Sequence, residues 1–250
     1  MLTDNQKKRY SRQIALAEIG QQGQSALLDA SVLVIGAGGL GCPILQILCN
    51  AGIGRIGVLD DDRIELSNLH RQFLYTENDV GRYKAEVAVK RLLEINSSIT
   101  IQSHLERLSA ENIAKIFSQY DIIIDGCDNF TTRFLVNIEC IKQKKILFSG
   151  AVSEWQGQVA VFEGYDVNQP CYRCFCPSEP PASGRLDCSV SGVTGALTSI
   201  IASHLSMQVI HYITKSGDVL NGKLVRYNGL NHRLLISTIK KDKTCSDCLA

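Results

Sequence analysis

Carboxylate, amide and guanidinium groups are concentrated in the segment LDDDRIELSNLHRQF, residues 59–73. Asp60 and Asp62 are two positions apart, so in an extended segment their side chains lie on the same side. Asp60 can then bond a ribose hydroxyl, while Asp62 can approach Mg²⁺ or make a second ribose contact. Arg71 offers a planar fork of donors that suits phosphate oxygens. The segment therefore predicts a site for a ribose and a metal-bound polyphosphate.

Two further sets of polar residues occur where such a site would form. Lys84 begins a predicted helix, and an ammonium at the positive end of a helix is unfavourable unless an anion lies nearby. Asp128 and Asn129 end a predicted strand, at the edge where open α/β sheets bind ligands. Each residue alone is equally consistent with a solvated charge or, at 128, with a helix cap. Their shared position at or beyond strand ends favours an ATP–Mg²⁺ site.

The sequence GAGGLG, residues 36–41, provides a G-x-G-x-x-G turn at Gly36, Gly38 and Gly41. The turn lies between a predicted strand and a predicted helix, where glycines let a phosphate approach backbone N–H groups at the positive helix end. With Asp60 closing the next strand, the pattern favours a nucleotide site over a tight turn without a ligand. The turn by itself does not distinguish NAD from ATP.

Alternating strand and helix patterns position these residues. Up to residue 152 we predict strands at 31–37, 55–60, 98–105, 121–128 and 145–151, and helices at 40–52, 84–96, 110–120 and 129–143. Later we predict an antiparallel strand at 157–164, a helix at 193–214, and strands at 223–228 and 232–239. The sequence therefore predicts a Rossmann-like, doubly wound α/β fold whose mostly parallel sheet is extended by antiparallel strands.

A chain of 250 residues can bury a full core, and no linker-like composition divides this one. We therefore expect a single domain over 1–250. Within it we distinguish N-terminal helices at 1–30, a nucleotide-binding half at 31–152 and a second half at 153–250.

Bulk composition excludes several classes of protein. The formal net charge is +1, which gives no reason to expect a nucleic-acid or membrane surface. No apolar run approaches the ~18 residues of a membrane-spanning helix, and residues 1–13 lack the apolar core of a signal peptide. We expect a cytoplasmic protein, in which ten cysteines indicate metal binding or catalysis more than disulfides.

Two C-x-x-C pairs, CYRC at 171–174 and CSDC at 245–248, supply Cys171, Cys174, Cys245 and Cys248. Four thiolates complete the tetrahedral shell of a structural Zn²⁺ ion, which would pin the C-terminal tail to the mid-chain loop. The alternative is a pair of redox dithiols or disulfides, but neither pair opens a helix in a thioredoxin-like setting. Cys176 is close to the first pair and is expected to be a bystander.

The remaining cysteines divide by their predicted positions. Cys188 lies in a Pro- and Gly-rich segment just before the long helix, where a helix N-terminus would favour a nucleophilic thiolate; an incidental loop thiol is the alternative. Cys127 is expected to point away from the nucleotide site. Cys42, Cys49 and Cys140 fall within predicted helices and are expected to be buried apolar residues.

Several of these segments together resemble the HesA/MoeB/ThiF family, the bacterial relatives of ubiquitin-activating enzymes. The resemblance rests on RYSRQI at 9–14, GAGGLG, LDDDRIELSNLHRQ, GRYKAE and DGCDNFTTR, in this order, with the later cysteines. It implies adenylation of the C-terminal Gly-Gly carboxylate of a ubiquitin-like sulfur carrier, either MoaD-like or ThiS-like. It also implies a four-cysteine zinc site.

The resemblance assigns roles to particular residues. It implies nucleotide contacts, with Asp128 near the metal, by the following residues: Gly39, Asp60, Asn68, Arg71, Gln72, Lys84 and Asp128. We add their neighbours Ser67, Leu69, His70 and Asn129 as candidate nucleotide-binding residues. The resemblance implies that Arg12 reaches into the site of a neighbouring subunit, which predicts a homodimer with two composite sites. It makes Cys188 the position of a cysteine that takes up the carrier as a thioester or acyl persulfide. His70 itself is expected to pack, not to catalyse.

The implied chemistry needs no general base. A C-terminal carboxylate has a pKa of about 3.5, so it is an anion at neutral pH and can attack the α-phosphate directly. The enzyme must position the reactants and neutralise charge as pyrophosphate leaves. We expect Arg71, Lys84, Arg12 and the metal near Asp128 to do this.

Other functions remain open at this level. The glycine turn alone would also suit an NAD(P)-dependent oxidoreductase, and a non-catalytic scaffold that binds nucleotide is a third class. Within the family, molybdopterin and thiamine biosynthesis are both possible pathways, and a tRNA-modifying cyclase or dehydratase is a further alternative. We expect no room for an appended sulfurtransferase domain, so sulfur would come from a separate donor.

Overall fold

The computed structural model describes residues 1–179 and 192–249 of the chain. Their strands form one sheet with the order β3-β2-β1-β4-β5-β6-β7-β8. The strands are β1 Ser31–Ile35, β2 Arg55–Leu59, β3 Thr100–His104, β4 Ile122–Asp125, β5 Ile146–Ser153, β6 Gln156–Phe162, β7 Lys223–Asn228 and β8 Arg233–Thr238. β1 to β5 pair in parallel, and β5 to β8 pair antiparallel. The predicted fold class is confirmed, and the second half extends the sheet of the first.

The α-helices of the described residues occupy the expected places. They are α1 Asp4–Arg9, α2 Ser11–Ile14, α3 Gly20–Asp29, α4 Gly41–Ala51, α5 Lys84–Ile95, α6 Ile113–Phe117, α7 Phe130–Lys142, α8 Tyr172–Phe175 and α9 Gly195–Thr214. Short 3₁₀ helices form at Leu66–Asn68 and Glu77–Asp79. The helix predicted at 110–120 is shorter, because Asn112 bonds back to the backbone at Ser109 and Arg107 and keeps the preceding residues irregular. The strand predicted at 121–128 ends at Asp125.

Helices cover both faces of the sheet, as a doubly wound arrangement requires. Alternate residues of β1 point to opposite sides: Val32 and Val34 pack in one cluster with α4, α5 and α9, and Leu33 and Ile35 pack in the other with α6 and α7. Both clusters are buried, which explains why the parallel strands are continuous apolar runs in the sequence.

The strand order reverses its direction between β1 and β4, because the chain adds β2 and β3 on one side of β1 and then returns to add β4 on the other. The connections after β1 and β4 therefore leave in opposite directions and open a crevice at the carboxyl ends of these strands. None of the helices in the described ranges is long and apolar enough to cross a membrane.

Candidate active site

A cleft of about 990 Å³ opens at this reversal point, at the carboxyl edge of the parallel strands. Most residues predicted for a nucleotide site line it: Gly36, Gly38, Gly39, Asp60, Asp62, Asn68, Arg71, Gln72, Lys84, Asp128 and Asn129. The tertiary fold thus brings together residues from five separate stretches of sequence. Cationic side chains also line the cleft, namely Arg63, Arg71, Lys84, Arg107, Arg133 and Arg226.

The three motif glycines have different structural roles. Gly36 has φ +89°, a conformation that favours glycine. A Cβ atom on Gly41 would lie 1.9 Å from the carbonyl oxygen of Gly36, so only glycine lets α4 begin this close to the end of β1. A Cβ atom on Gly38 would meet only Nε2 of Gln72, at 3.7 Å. Gly36 and Gly41 therefore shape the turn, whereas Gly38 keeps open the cleft beside it.

Asp60 ties the end of β2 to the glycine turn. Its Oδ2 accepts a hydrogen bond from the Ala37 N–H at 2.7 Å, and its Oδ1 accepts one from the Asp62 N–H at 2.9 Å. Burial raises the pKa of Asp60, although Lys84 and these two N–H groups act in the opposite direction. Since a carboxylate oxygen accepts more than one hydrogen bond, Asp60 keeps capacity for a hydroxyl of a ligand.

Lys84 and Asp62 form an ion pair at the wall of the cleft, with 2.8 Å between Nζ and Oδ2. The Lys84 backbone N–H also donates to the Asp62 carbonyl oxygen at 2.9 Å. Lys84 is buried and Asp62 is exposed, so the lysine side chain is enclosed by protein while its carboxylate partner faces solvent. Asp62 is thus the anion that a lysine at a helix N-terminus needs. A contact of Asp62 with Mg²⁺ stays a prediction.

The 3₁₀ helix at Leu66–Asn68 and the residues after it form another wall. Arg71 donates from Nη1 to the Ser67 carbonyl oxygen at 3.0 Å. Gln72 is buried, yet its Oε1 has no hydrogen-bond partner among the described residues. An unpaired buried carbonyl costs about 1–3 kcal/mol, which indicates that a ligand or water donates to Gln72. The remaining predicted contacts from this segment, Ser67, Leu69 and His70, are not among the cleft-lining residues.

Asp128 and Asn129 lie beyond the end of β4, where α7 begins. Asn129 is the N-cap of α7, and its Oδ1 accepts a hydrogen bond from the Thr132 N–H at 2.9 Å. Its side chain therefore has a structural role, which matches the alternative of a helix cap at this place. Asp128 is exposed at the rim of the cleft and offers carboxylate oxygens, the donors that Mg²⁺ prefers.

A buried ion pair that sequence reasoning missed forms the floor beneath Asp128. Arg133 Nη1 lies 2.9 Å from Asp125 Oδ2 and donates to Ser149 Oγ at 3.0 Å. Arg133 Nη2 donates to the carbonyl oxygens of Cys127 and Gly150. Burial lowers the pKa of Arg133, but Asp125 and the weaker contributions of Cys127, Tyr172 and Asp128 together outweigh burial and raise this pKa above its usual value. The sequence did offer a signal for this pair: a carboxylate ends an apolar strand, and an arginine follows one turn into the next helix.

A second lobe of the cleft is lined by the antiparallel strands. It includes Ser153, Gln156 and Gln158 of β5 and β6, and Arg226 of β7. Gln158 is the register partner of Ala151 on one side and of Arg226 on the other. The sequence offered no signal for this lobe, because strand register decides which side chains share a face. The lobe gives the cleft polar side chains beyond those predicted to contact the nucleotide.

Three candidate residues differ from the rest: one lies outside this chain's cleft, one lies outside the described residues, and one lines the cleft against expectation. Arg12 is exposed on α2 and does not line the cleft of its own chain. Cys188 lies outside the described residues. Cys127, expected to point away from the site, lines the cleft, and its Sγ donates to Asp125 Oδ1 at 2.8 Å. The strand ends at Asp125, so the alternation on which that expectation rested no longer applies at Cys127.

The two C-x-x-C pairs meet in space, as predicted. The ligand atoms of Cys171, Cys174, Cys245 and Cys248 all lie within 4.8 Å of one another. The Sγ–Sγ distances are 3.9 Å for 171–174 and 3.6 Å for 171–245 and 174–248. A disulfide would need about 2.05 Å, whereas these values suit the edges of a tetrahedron around one metal ion with bonds of about 2.3 Å. Cys176 is not part of the group, as expected.

Side chains around the cysteines connect the C-terminal tail to α7 and α8. Asn137 of α7 donates from Nδ2 to Asp247 Oδ2 at 2.9 Å, and its Oδ1 accepts from the Tyr172 N–H at 2.8 Å. Arg173 Nε lies 2.6 Å from Asp247 Oδ1. The tail is therefore pinned to the mid-chain loop by polar contacts as well as by the cysteine cluster.

Known proteins resemble this chain over nearly its whole length. A model of the ThiF family matches residues 10–250. The chain is 43% identical over 249 residues to a Culex quinquefasciatus protein named adenylyltransferase and sulfurtransferase MOCS3, covering 100% of this chain and 56% of that protein. It is 41% identical over 249 residues to the sulfur carrier protein adenylyltransferase of Thermus thermophilus, covering 98% of this chain and 92% of that protein.

The chain spans about half the length of the MOCS3 relatives it matches. Among solved structures, the crystal structure of Escherichia coli MccB with ATP has a TM-score of 0.84 and 24% identity, covering 97% of this chain and 75% of that one. At this level of identity the likeness shows a shared fold alone.

The Asp125–Arg133 pair leads to a stability prediction. Replacing Arg133 with Met leaves Asp125 buried without its cation, so we expect the free energy of unfolding to fall by about 3–5 kcal/mol. Arg133→Met combined with Asp125→Asn removes the uncompensated charge and should recover part of this loss. Urea unfolding measures both. Arg226→Met is the matched control, because Arg226 is exposed at the same cleft; equal midpoints for Arg133→Met and the control would contradict the prediction.

Proposed function

We propose, since the chain belongs to the ThiF family, that it is an ATP-dependent adenylyltransferase. Its substrate would be the C-terminal Gly-Gly carboxylate of a ubiquitin-like sulfur carrier, and its product an acyl-adenylate. The names of the relatives support this assignment. The observation that carries it is the cleft, in which a glycine turn, two cations held by ordered contacts and an exposed carboxylate converge at the reversal point of the sheet.

Each wall of the cleft receives a different part of ATP in this proposal. The N–H groups at the glycine turn and the positive end of α4 bind phosphates, and Asp60 bonds a ribose hydroxyl. Arg71 and Lys84 neutralise the phosphate oxygens, and Asp62 fixes the lysine in place through its 2.8 Å ion pair. Gln72 accepts a hydrogen bond from the ligand or its water, because its Oε1 is otherwise unpaired. Asp128 would hold Mg²⁺, which supplies charge neutralisation when bound.

The reaction is a displacement at phosphorus. A carboxylate oxygen of the carrier forms a bond to the α-phosphorus, while the bond from that phosphorus to the bridging oxygen breaks and its electron pair leaves with pyrophosphate. The carboxylate is already an anion, so no residue has to remove a proton. Arg71 and Lys84 stabilise the charge that accumulates on the leaving pyrophosphate. The second lobe, with Gln158 and Arg226, accommodates the extended tail of the carrier.

The activated carrier would serve sulfur transfer in molybdopterin or thiamine biosynthesis, with sulfur supplied by a separate donor. We place the reaction in the cytoplasm, where a reducing environment keeps the four clustered thiols available to a metal. We also propose that residues 1–250 act as one adenylation domain, with nucleotide bound by 31–152 and the carrier by 153–250. An NAD(P)-dependent oxidoreductase is less well supported, because the cationic walls suit a polyphosphate better than a nicotinamide ring.

We further propose a homodimer that packs through the groove between α4 and α9. The described residues that line this groove are all uncharged: Gln13, Pro43, Gln46, Ile47, Asn50, Ala51, Phe73, Ser199, Ser203 and Ile210. Phe73 is 51% exposed at its edge. Depletion of charge around an exposed aromatic side chain is typical of the core of a protein interface.

The direction of the groove connects this interface to the site. Its Pro43 and Phe73 end adjoins the cleft, whereas its Gln13 end lies at the C-terminus of α4, where Gln13 Nε2 donates to the Ala51 carbonyl oxygen at 3.0 Å. A twofold axis across the middle of the groove brings each end of one chain onto the opposite end of the other. Arg12, next to Gln13, would then reach the partner's cleft, which accounts for its exposure outside its own.

We propose that the four-cysteine cluster holds a structural Zn²⁺ ion. The residues fit, because four sulfur ligands in tetrahedral arrangement are the donor set that zinc prefers. The metal would keep the C-terminal tail on α7 and α8.

Pyrophosphate exchange tests the proposed activity. We expect the enzyme to incorporate labelled pyrophosphate into ATP only with a carrier that ends in Gly-Gly, since the carboxylate is the attacking group. The same carrier without its last two residues is the control. Exchange without any carrier would indicate a different acyl substrate, and NADH binding without ATP binding would contradict an adenylyltransferase.

Mixing inactive variants tests the composite site. Arg12→Ala and Lys84→Ala homodimers should both be nearly inactive in exchange, because each site lacks one cation. A heterodimer has one site with both cations, so a random mixture should recover about a quarter of the wild-type rate. Mixing Lys84→Ala with Arg71→Ala is the control. Both residues belong to the cleft of their own chain, so every site in that heterodimer still lacks one cation and no recovery is expected. Equal recovery in the two mixtures would show that Arg12 does not act across the interface.

Metal analysis tests the zinc site. The purified protein should contain zinc equimolar with the chain, and Cys245→Ser should lose it because three thiolates bind zinc more weakly. Hydrogen exchange should then accelerate in residues 240–249. Cys176→Ser is the matched control and should retain the metal. A wild-type preparation free of zinc, purified without chelator, would sink the proposal.

A further inference from the structure

The first residue of α9, Gly195, lies against the chain segment that carries Arg71. A Cβ atom on Gly195 would be 2.7 Å from the carbonyl oxygen of His70, 2.8 Å from Cζ of Phe73 and 3.3 Å from Cα of Arg71. A carbon atom closer than 3.0 Å has to displace its neighbour. Because Gly195 has no Cβ atom, the first turn of α9 can rest directly on the backbone of this segment.

The local backbone conformation does not require a glycine at this position. Gly195 is helical and is not among the glycines with a positive φ. Alanine forms helices more readily than glycine, so the helix by itself would favour alanine here. The close approach is therefore the reason for the glycine, and the chain that it approaches is a wall of the cleft.

The closest contact involves a peptide group that Arg71 shares. The carbonyl of His70 and the N–H of Arg71 belong to one planar unit, so a shift of that carbonyl oxygen also moves Arg71. The ring of Phe73 is 51% exposed and can turn away from an added methyl group. The N–H groups of Arg71 and Gln72 both donate to the Asn68 carbonyl oxygen at 3.1 Å. A displacement of the shared peptide therefore spreads through this wall.

Helix α9 is fixed on the sheet and cannot easily retreat from the contact. Before its first turn, the Gly192 carbonyl oxygen accepts a hydrogen bond from the Glu154 N–H at 3.0 Å. Further along the helix, Ile201 packs so closely on β6 that a Cβ atom on Gly157 would lie 2.2 Å from its Cγ1 atom. Residues 69–71, by contrast, form a turn that is partly exposed. The turn is therefore the part that yields when Gly195 gains a side chain.

The side chain of Arg71 is also confined by α9 and the glycine turn. A Cβ atom on Gly39 would be 3.3 Å from Cδ of Arg71 and 3.3 Å from Cγ2 of Thr198, which lines the cleft from α9. The Arg71 guanidinium donates to the Ser67 carbonyl oxygen at 3.0 Å. Backbone, aliphatic stem and guanidinium of this arginine therefore each have a fixed contact, and the backbone contact comes from Gly195.

We propose that Gly195 is a positioning residue for adenylation, which acts through the His70–Arg71 peptide to set where the Arg71 guanidinium meets the phosphates. The inference rests on the proposed function, because it requires Arg71 to contact ATP. A catalytic group that is misplaced by about 1 Å can lose about 100-fold in rate. A side chain at position 195 therefore acts on the chemical step and leaves the affinity for the carrier unchanged.

A double-mutant cycle in pyrophosphate exchange tests this role. Gly195→Ala should lower the rate at saturating ATP and carrier about tenfold or more, with KM for the carrier unchanged. In an Arg71→Ala background the same change should alter the residual rate by less than about twofold, because the arginine that it positions is gone. Gly229→Ala is the matched control, since its Cβ atom would come no closer than 3.4 Å to the Trp155 carbonyl oxygen.

The outcomes separate the two proposals. If the wild type exchanges and Gly195→Ala keeps the wild-type rate, or loses the same factor with and without Arg71, the positioning role is overturned. A wild type without exchange would instead overturn the proposed function. Urea unfolding checks that each variant is folded. Should Gly195→Ala not fold, the cycle is run in a Phe73→Ala parent, which removes the side-chain contact and keeps the contact with the His70 carbonyl oxygen.

Discussion

The buried ion pair between Asp125 and Arg133 is the constraint on which the rest of the site depends. It joins the end of β4 and the middle of β5 to the first turns of α7, since the guanidinium also bonds the Ser149 hydroxyl and the carbonyl oxygens of Cys127 and Gly150. Buried pairs of this type contribute little net stability, because desolvation offsets their attraction. Their value lies in geometry. Here the pair fixes the floor of the cleft and the place where Asp128 leaves the sheet.

The glycine turn and the carboxylate after β2 form the adjoining wall, which close packing and hydrogen bonds likewise hold in place. Gly41 lets α4 approach the end of β1, and Asp60 holds Ala37 and Asp62 by their N–H groups. Lys84 is in turn held by Asp62. Polar groups that would be costly to bury alone therefore satisfy one another before any ligand arrives, and such preorganisation is what electrostatic catalysis requires.

The parallel and antiparallel halves of the sheet provide different kinds of surface. Parallel strands bury both faces, and their carboxyl ends provide the cleft walls that we assign to the nucleotide. Antiparallel strands leave part of a face exposed, which gives the second lobe and leaves all six residues of β8 exposed. The cysteine cluster lies where the C-terminal tail meets α8, and none of its four cysteines lines the cleft. The proposed transfer of a nucleotide to a protein would use both kinds of surface, one enclosed and one open.

The sequence by itself determined the fold class, most of the residues that line the cleft and the cysteine cluster, because each has a local signal: apolar runs of strand length, glycines before a helix, carboxylates at strand ends and paired C-x-x-C spacing. Only the tertiary structure decided that Asp62 pairs with Lys84, that Arg133 forms the floor, and that Gln158 and Arg226 share a face. These contacts join segments far apart in the chain. Strand register and side-chain burial set them, and no spacing within one segment encodes either.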